Sequence, residues 1–156
     1  MLDWIESTSL ALWLRESPSL WAAPTVMTLH AMGMAILVGA SWVLDLGLLG
    51  VSRSVPVSEF RWVFPAVAVG LVVNLVTGVL LFVKNATVWG MAMPFLIKMA
   101  LVVASASTLI AIRKYVLNSD AGAIAVGNNV RLLAVVSILA WTGAVVAGRM
   151  LAYLVP

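Results

Sequence analysis

His30 is the only histidine of the chain. It stands in a run from Leu20 to Leu49 whose only polar side chains are Thr25, Thr28, His30, Ser41 and Asp45. An imidazole placed in hydrocarbon needs a partner, a cavity or a ligand to face. Met27 and Met34 flank it at i−3 and i+4, on one helix face. Thioether and imidazole together suit Cu(I), so Met27, His30 and Met34 form a candidate metal site to which Met91 and Met93 could add sulfur. Methionine is also a routine filler of apolar interfaces, and the chain has eight. A single histidine excludes bis-histidine haem within one chain, leaving His/Met ligation or one His from each of two protomers. Haem and copper are the metal cofactors these residues allow.

A second set of residues shares the depth of His30. His30 is six residues past Pro24, Lys98 six past Ala92, Arg149 six before Val155 and Thr77 six before Val83. At a rise of ~1.5 Å per residue, each lies ~9 Å inside one end of its apolar stretch. Asn74 is one turn deeper. The layer thus offers two cations, an imidazole and two neutral polar groups, with no carboxylate. Two unpaired cations at low dielectric call for an anion. It could be an acid from the N-terminal segment (Asp3, Glu6 or Glu16), a lipid phosphate, or the carboxylate of a ligand; haem propionates and quinone carbonyls meet the same demand. The blander reading is that Lys98 and Arg149 snorkel independently to the surface while His30 bonds one carbonyl. The binding set expected is His30, Asn74, Thr77, Lys98 and Arg149.

The elements that carry these residues follow from composition. The chain has 156 residues, 63% hydrophobic and 10% charged, with mean hydropathy +1.13. That is an integral membrane composition. The absence of cysteine excludes disulfides and thiolate chemistry. The net charge of +3 comes from cations beside apolar spans, which signals topology and gives no nucleic-acid footprint. Four stretches are long enough to cross a bilayer: about 22–48, 62–83, 92–112 and 131–155. Pro24, Pro65 and Pro94 fall in first turns, where the missing N–H has no partner to lose. The fold expected is all-α: a four-span bundle over 18–156 with an N-terminal interfacial helix in 1–17. That helix covers residues 3–15, opened by Asp3-x-x-Glu6 as a capping box and ended at Ser17-Pro18. Asp3 and Glu6 stand where a signal peptide carries cations, so the first residues are expected in the mature chain.

Loops 49–61 (Arg53, Arg61) and 113–131 (Arg113, Lys114, Arg131) are the basic ones. They are expected on the cytoplasmic side, with both termini outside. Small residues recur every fourth position in Ala31-Ala35-Gly39, Ala66-Gly70-Asn74-Gly78, Ala100-Ala104-Thr108 and Ala140-Ala144-Gly148. Such stripes let helices approach closely in lipid, within one bundle or across a homodimer. Asp45, near the cytoplasmic end of its span, is expected to form a structural ion pair with one of the nearby cations. No carboxylate pair or catalytic triad can be assembled, so catalysis has the least support.

Ser19-Leu20-Trp21, His30-x-x-Gly33-Met34, Leu37-Val38-Gly39 and Asp45-Leu46-x-Leu48-Leu49-Gly50 resemble a family of small bacterial inner-membrane proteins known mainly as a domain of unknown function. Thr77-Gly78, Phe82 and Phe95-x-x-Lys98 resemble its later motifs, and the likeness covers about residues 18–110. Where that family usually carries arginine this chain has Gly47. More remotely, the chain is similar to CopD-type copper-resistance membrane proteins, which implies a metal or redox context. The expectation is a multi-pass protein of the bacterial inner membrane, a binding module for a redox cofactor, a copper ion or an anionic lipophilic ligand. A small anion transporter and a structural anchor are the alternatives. Its partners would be the bilayer and a second copy or a larger membrane complex.

Overall fold

The computed structural model describes residues 2–51, 55–119 and 126–154. Arg53 and Val155 lie outside them. The described residues form seven α-helices: α1 (Leu2–Glu6), α2 (Ser9–Glu16), α3 (Ala23–Leu49), α4 (Val63–Lys84), α5 (Ala86–Trp89), α6 (Met93–Asn118) and α7 (Asn128–Leu154). A 3-10 turn, Val57–Trp62, leads into α4. No strand occurs among the described residues. The fold is an all-α four-helix bundle, and α3, α4, α6 and α7 are each long and apolar enough to cross a membrane.

Pro24 and Pro94 sit at the first positions of α3 and α6, where proline costs no intrahelical bond. Gly50 ends α3 at φ 94°, with its N–H turned back to the last-turn carbonyls. This is the left-handed cap that glycine adopts without steric cost. The third span departs from expectation by running on to Asn118. Arg113 and Lys114 therefore stand on the helix, and Arg131 stands on α7. Hydropathy reports where hydrocarbon ends, whereas a helix continues as long as its carbonyls find donors. Arg61 supplies them: its Nη2 donates to the carbonyls of Leu117 and Ser119 at 3.0 and 3.3 Å.

The interfacial segment is two helices where one was expected. Thr8 breaks it, donating to the Ile5 carbonyl and accepting from the Ala11 N–H as the cap of α2. The expected capping box at Asp3-x-x-Glu6 is not formed, because the Glu6 carboxylate reaches across to α5. It accepts from the Thr87 N–H at 2.7 Å and the Thr87 hydroxyl at 2.8 Å, with Arg15 at 3.8 Å. This pins α1 to the end of the bundle that carries both termini. Those two Thr87 bonds, the backbone one foremost, hold the Glu6 carboxyl below its ordinary value of 4.5. The clamp is therefore at full strength above that pH and weakens as pH falls below it. With no native cysteine, spin labels at Ser7→Cys and Val88→Cys can report it. The distance between them is expected to be narrowly distributed at neutral pH and to broaden below about pH 4.5. Glu6→Gln should give the broad distribution at every pH; an unchanged narrow one would remove the clamp.

The four spans pack as two tight pairs, α3 with α4 and α6 with α7, joined where α3 meets α7. The α3–α4 seam is a contact of backbones. A Cβ on Gly70 would stand 2.7 Å from the Leu37 nitrogen and 3.0 Å from the Gly33 carbonyl oxygen. The stripes of α4 and α7 thus lie at interfaces as expected. Those of α3 and α6 largely do not: Ala31, Ala35, Gly39, Ala100 and Ala104 are exposed, and a Cβ on Gly39 would meet nothing within 4 Å. The seam of α3 runs through Gly33 and Leu37, on another face. Gly47 makes room for the Phe60 ring, which plugs the bundle from the 3-10 turn. An arginine at this position would collide with that ring.

The two halves of the bundle differ. The half nearer the interhelical loops is densely packed, with Leu37, Leu44, Leu48, Phe60, Val63, Ile112, Val116 and Trp141 in one core. In the half nearer the termini, α4 and α6 scarcely touch. They are linked there by the stacked rings of Phe82 and Phe95, 5.2 Å between centroids.

Candidate functional site

That separation of α4 from α6 leaves a cavity of about 610 Å³ between all four spans. It is in the size range of sites for organic ligands. Its walls are mostly apolar, with His30, Asn74, Lys98 and Arg149 among the few polar groups, and Met27 and Met34 also reach it. Four of the five residues read from helix depth thus line one cavity, and the fifth, Thr77, bonds the His30 ring. Leu75, Val79 and Met99 line the cavity and are exposed, so the cavity is open to the surface of the bundle beside α4 and α6. Trp89 of α5 lines it near the termini, and Trp141 lines it at the end that abuts the packed core.

Three hydrogen bonds fix His30. The Thr77 hydroxyl donates to the Val73 carbonyl at 2.6 Å, so its oxygen is left to accept. His30 Nδ1 lies 2.9 Å from that oxygen. In the neutral ring this places the proton on Nδ1 and leaves Nε2 as a lone pair. Asn74 Nδ2 donates to the His30 backbone carbonyl at 3.0 Å, locking the helix register at the site. Gly78 provides the room: the position of its missing Cβ is 3.4 Å from His30 Cε1. Thr77 and Asn74 therefore position His30. In wild type, histidine ¹⁵N spectra are expected to show Nδ1 protonated. Thr77→Val removes the acceptor and should shift population to the Nε2-protonated form. A wild-type ring protonated on Nε2 would refute the assignment.

Lys98 projects across the cavity onto α7. Its Nζ lies 3.4 Å from the position of the missing Gly148 Cβ, and it is only partly exposed. No carboxylate among the described residues comes within 4.0 Å of it, since the ion pairs there are Arg15–Glu6 and Arg15–Glu16. Glu6 and Glu16 are thus engaged elsewhere, and an acid folded over the site is not what balances the lysine. Arg149 behaves differently. Its Nη2 donates to the Tyr153 hydroxyl at 2.8 Å, its guanidinium lies 4.8 Å over that ring, and the residue is exposed. It stands at the rim and points its charge toward the helix end.

Of the metal candidates, Met27 is 55% exposed, while Met34 is half-buried. No group of three His, Cys, Asp or Glu that could hold a metal occurs among the described residues. The ion pair expected at Asp45 is not formed with any described residue. Asp45 is buried, and neither carboxylate oxygen has a hydrogen-bond partner.

Depth counting overlooked Trp141 and Trp89. Trp89 lies outside the four spans yet lines the cavity. Trp141 had a usable signal, since a tryptophan near the middle of a span lies far from either interface. Comparison with protein-family models, with curated proteins and with solved structures finds no match to this chain. What is established is its class: a multi-pass α-helical membrane protein.

Proposed function

We propose that this protein is a non-catalytic binding module for an amphiphile with an acidic head group, taken sideways from the bilayer between α4 and α6. The observation that carries this reading is Lys98, an ammonium without a carboxylate partner among the described residues, set in an apolar cavity beside the His30 lone pair. An apolar tail suits the walls. A carboxylate or phosphate supplies the charge that Lys98 lacks, and a hydroxyl on the head group can donate to His30 Nε2. The packed loop half supports holding a ligand over conducting one, which weighs against the anion-transporter alternative. The cations exposed on the loop half, Arg61, Arg113, Lys114 and Arg131, favour placing that end in the cytoplasm of a bacterial inner membrane.

A long-chain carboxylic acid bearing a diazirine tests this in lipid nanodiscs. Cross-links are expected at Leu75, Val79 and Val102 on the cavity walls, and Lys98→Met should remove them. Labelling spread evenly over lipid-facing residues such as Val103 and Val146 would contradict the reading. A second reading rests on the free Nε2. Haem could take it as one axial ligand, with a propionate on Lys98, and copper could take it with Met27 and Met34. A Soret band, or stoichiometric copper in elemental analysis, would favour that reading.

A further inference from the structure

The packed half of the bundle holds a second polar cluster, separate from the ligand cavity. Asp45 on α3 and Ser137 on α7 are both 0% exposed. The Ser137 hydroxyl faces the Asp45 carboxylate but forms no hydrogen bond of normal geometry, and both carboxylate oxygens are also unpartnered. One turn along α7 toward the cavity is Trp141, 1% exposed. Its indole N–H is unpartnered as well, and its ring lines the cavity. Buried polar atoms normally find partners, so three such residues together mark a place where something is bound.

Among the described residues, the charged groups around this cluster do not supply it. Glu59 and Arg61 of the 3-10 turn, Arg113 and Lys114 of α6, and Arg131 of α7 are exposed, and Arg61 is committed to the end of α6. The titratable group of α4, Lys84, is at its opposite end. A bare carboxylate in this setting is strongly disfavoured by the loss of its hydration. A hard metal cation would want about six oxygen ligands, whereas the unpartnered set has three oxygens and an N–H donor. A proton fits. It turns one Asp45 oxygen into a donor for Ser137 Oγ and leaves the other to accept.

We propose that Asp45 is a proton-binding site: a buried carboxylic acid that takes up and releases one proton, with Ser137 as its hydrogen-bond partner and the Trp141 end of the cavity as its access route.

Dicyclohexylcarbodiimide, which modifies protonated carboxyls in apolar surroundings, tests this on the wild-type chain in nanodiscs. Mass mapping is expected to find the adduct at Asp45 and not at the exposed Asp3, Glu16 or Glu59. Its rate should fall as the pH is raised and be unaffected by excess sodium. Ser137→Ala should shift that profile along the pH axis, and Asp45→Asn should abolish the adduct. An unmodified Asp45 overturns the proposal, as does a rate independent of pH. Protection by sodium overturns it in favour of a cation site.

Discussion

Gly70→Leu is expected to prevent α3 and α4 from pairing, with a loss of stability of at least about 3 kcal/mol. The atoms that a Cβ at position 70 would strike are the nitrogen and Cα of Leu37 and the carbonyl oxygen of Gly33. All belong to backbone, so no rotamer change relieves the clash, and the helices must separate. Separation opens the cavity as well, because His30 and its partners Asn74 and Thr77 lie on this same seam. Thermal unfolding followed by size-exclusion chromatography should show a fall in Tm and early aggregation. Gly39→Leu is the control. A Cβ there meets nothing within 4 Å, so its Tm should match wild type. Equal Tm values for the two variants would mean that the seam is misplaced.

Lys98→Met is expected to weaken binding of a fluorescent long-chain carboxylic acid by about 100-fold, or about 2.7 kcal/mol. Methionine keeps much of the length and apolar surface of lysine while deleting the charge. The effect is large because no carboxylate among the described residues shares the ammonium, so the ligand's head group would be its main counter-charge. Removing it should also relieve an unpaired buried cation, so Lys98→Met should be at least as stable as wild type when unliganded. Arg149→Gln should cost less than about threefold, because this guanidinium is exposed and already held by Tyr153. Equal losses in the two variants would mean that the charges act through the general field of that end rather than through a site.

Much of the architecture was legible because a bilayer constrains it. Four stretches of the required length and prolines in first turns lead directly to α3, α4, α6 and α7. The convergence of His30, Asn74, Thr77 and Lys98 was readable from depth alone, since antiparallel helices of similar length put equal depths at equal height. Depth gives no rotation about the helix axis, and that is where expectation and structure part. Arg149 lies at the expected depth yet turns its guanidinium to Tyr153. The four-residue stripes misled on α3 and α6 for the same reason: a run of small residues is as acceptable to lipid as to a neighbouring helix. The Glu6–Thr87 clamp joins residues far apart in sequence, and no local pattern announces it. Asp45 was visible as an acid beside cations. The described ones, Arg61, Arg113 and Lys114, are exposed, so among the described residues none of them pairs the carboxyl.

Native mass spectrometry of the chain released from its own membranes tests the central claim most directly. Wild type is predicted to carry one acidic amphiphile per chain, and Lys98→Met, equally folded, to carry none. A wild-type chain that emerges without such a molecule, or a Lys98→Met chain that keeps it at full occupancy, would contradict the account.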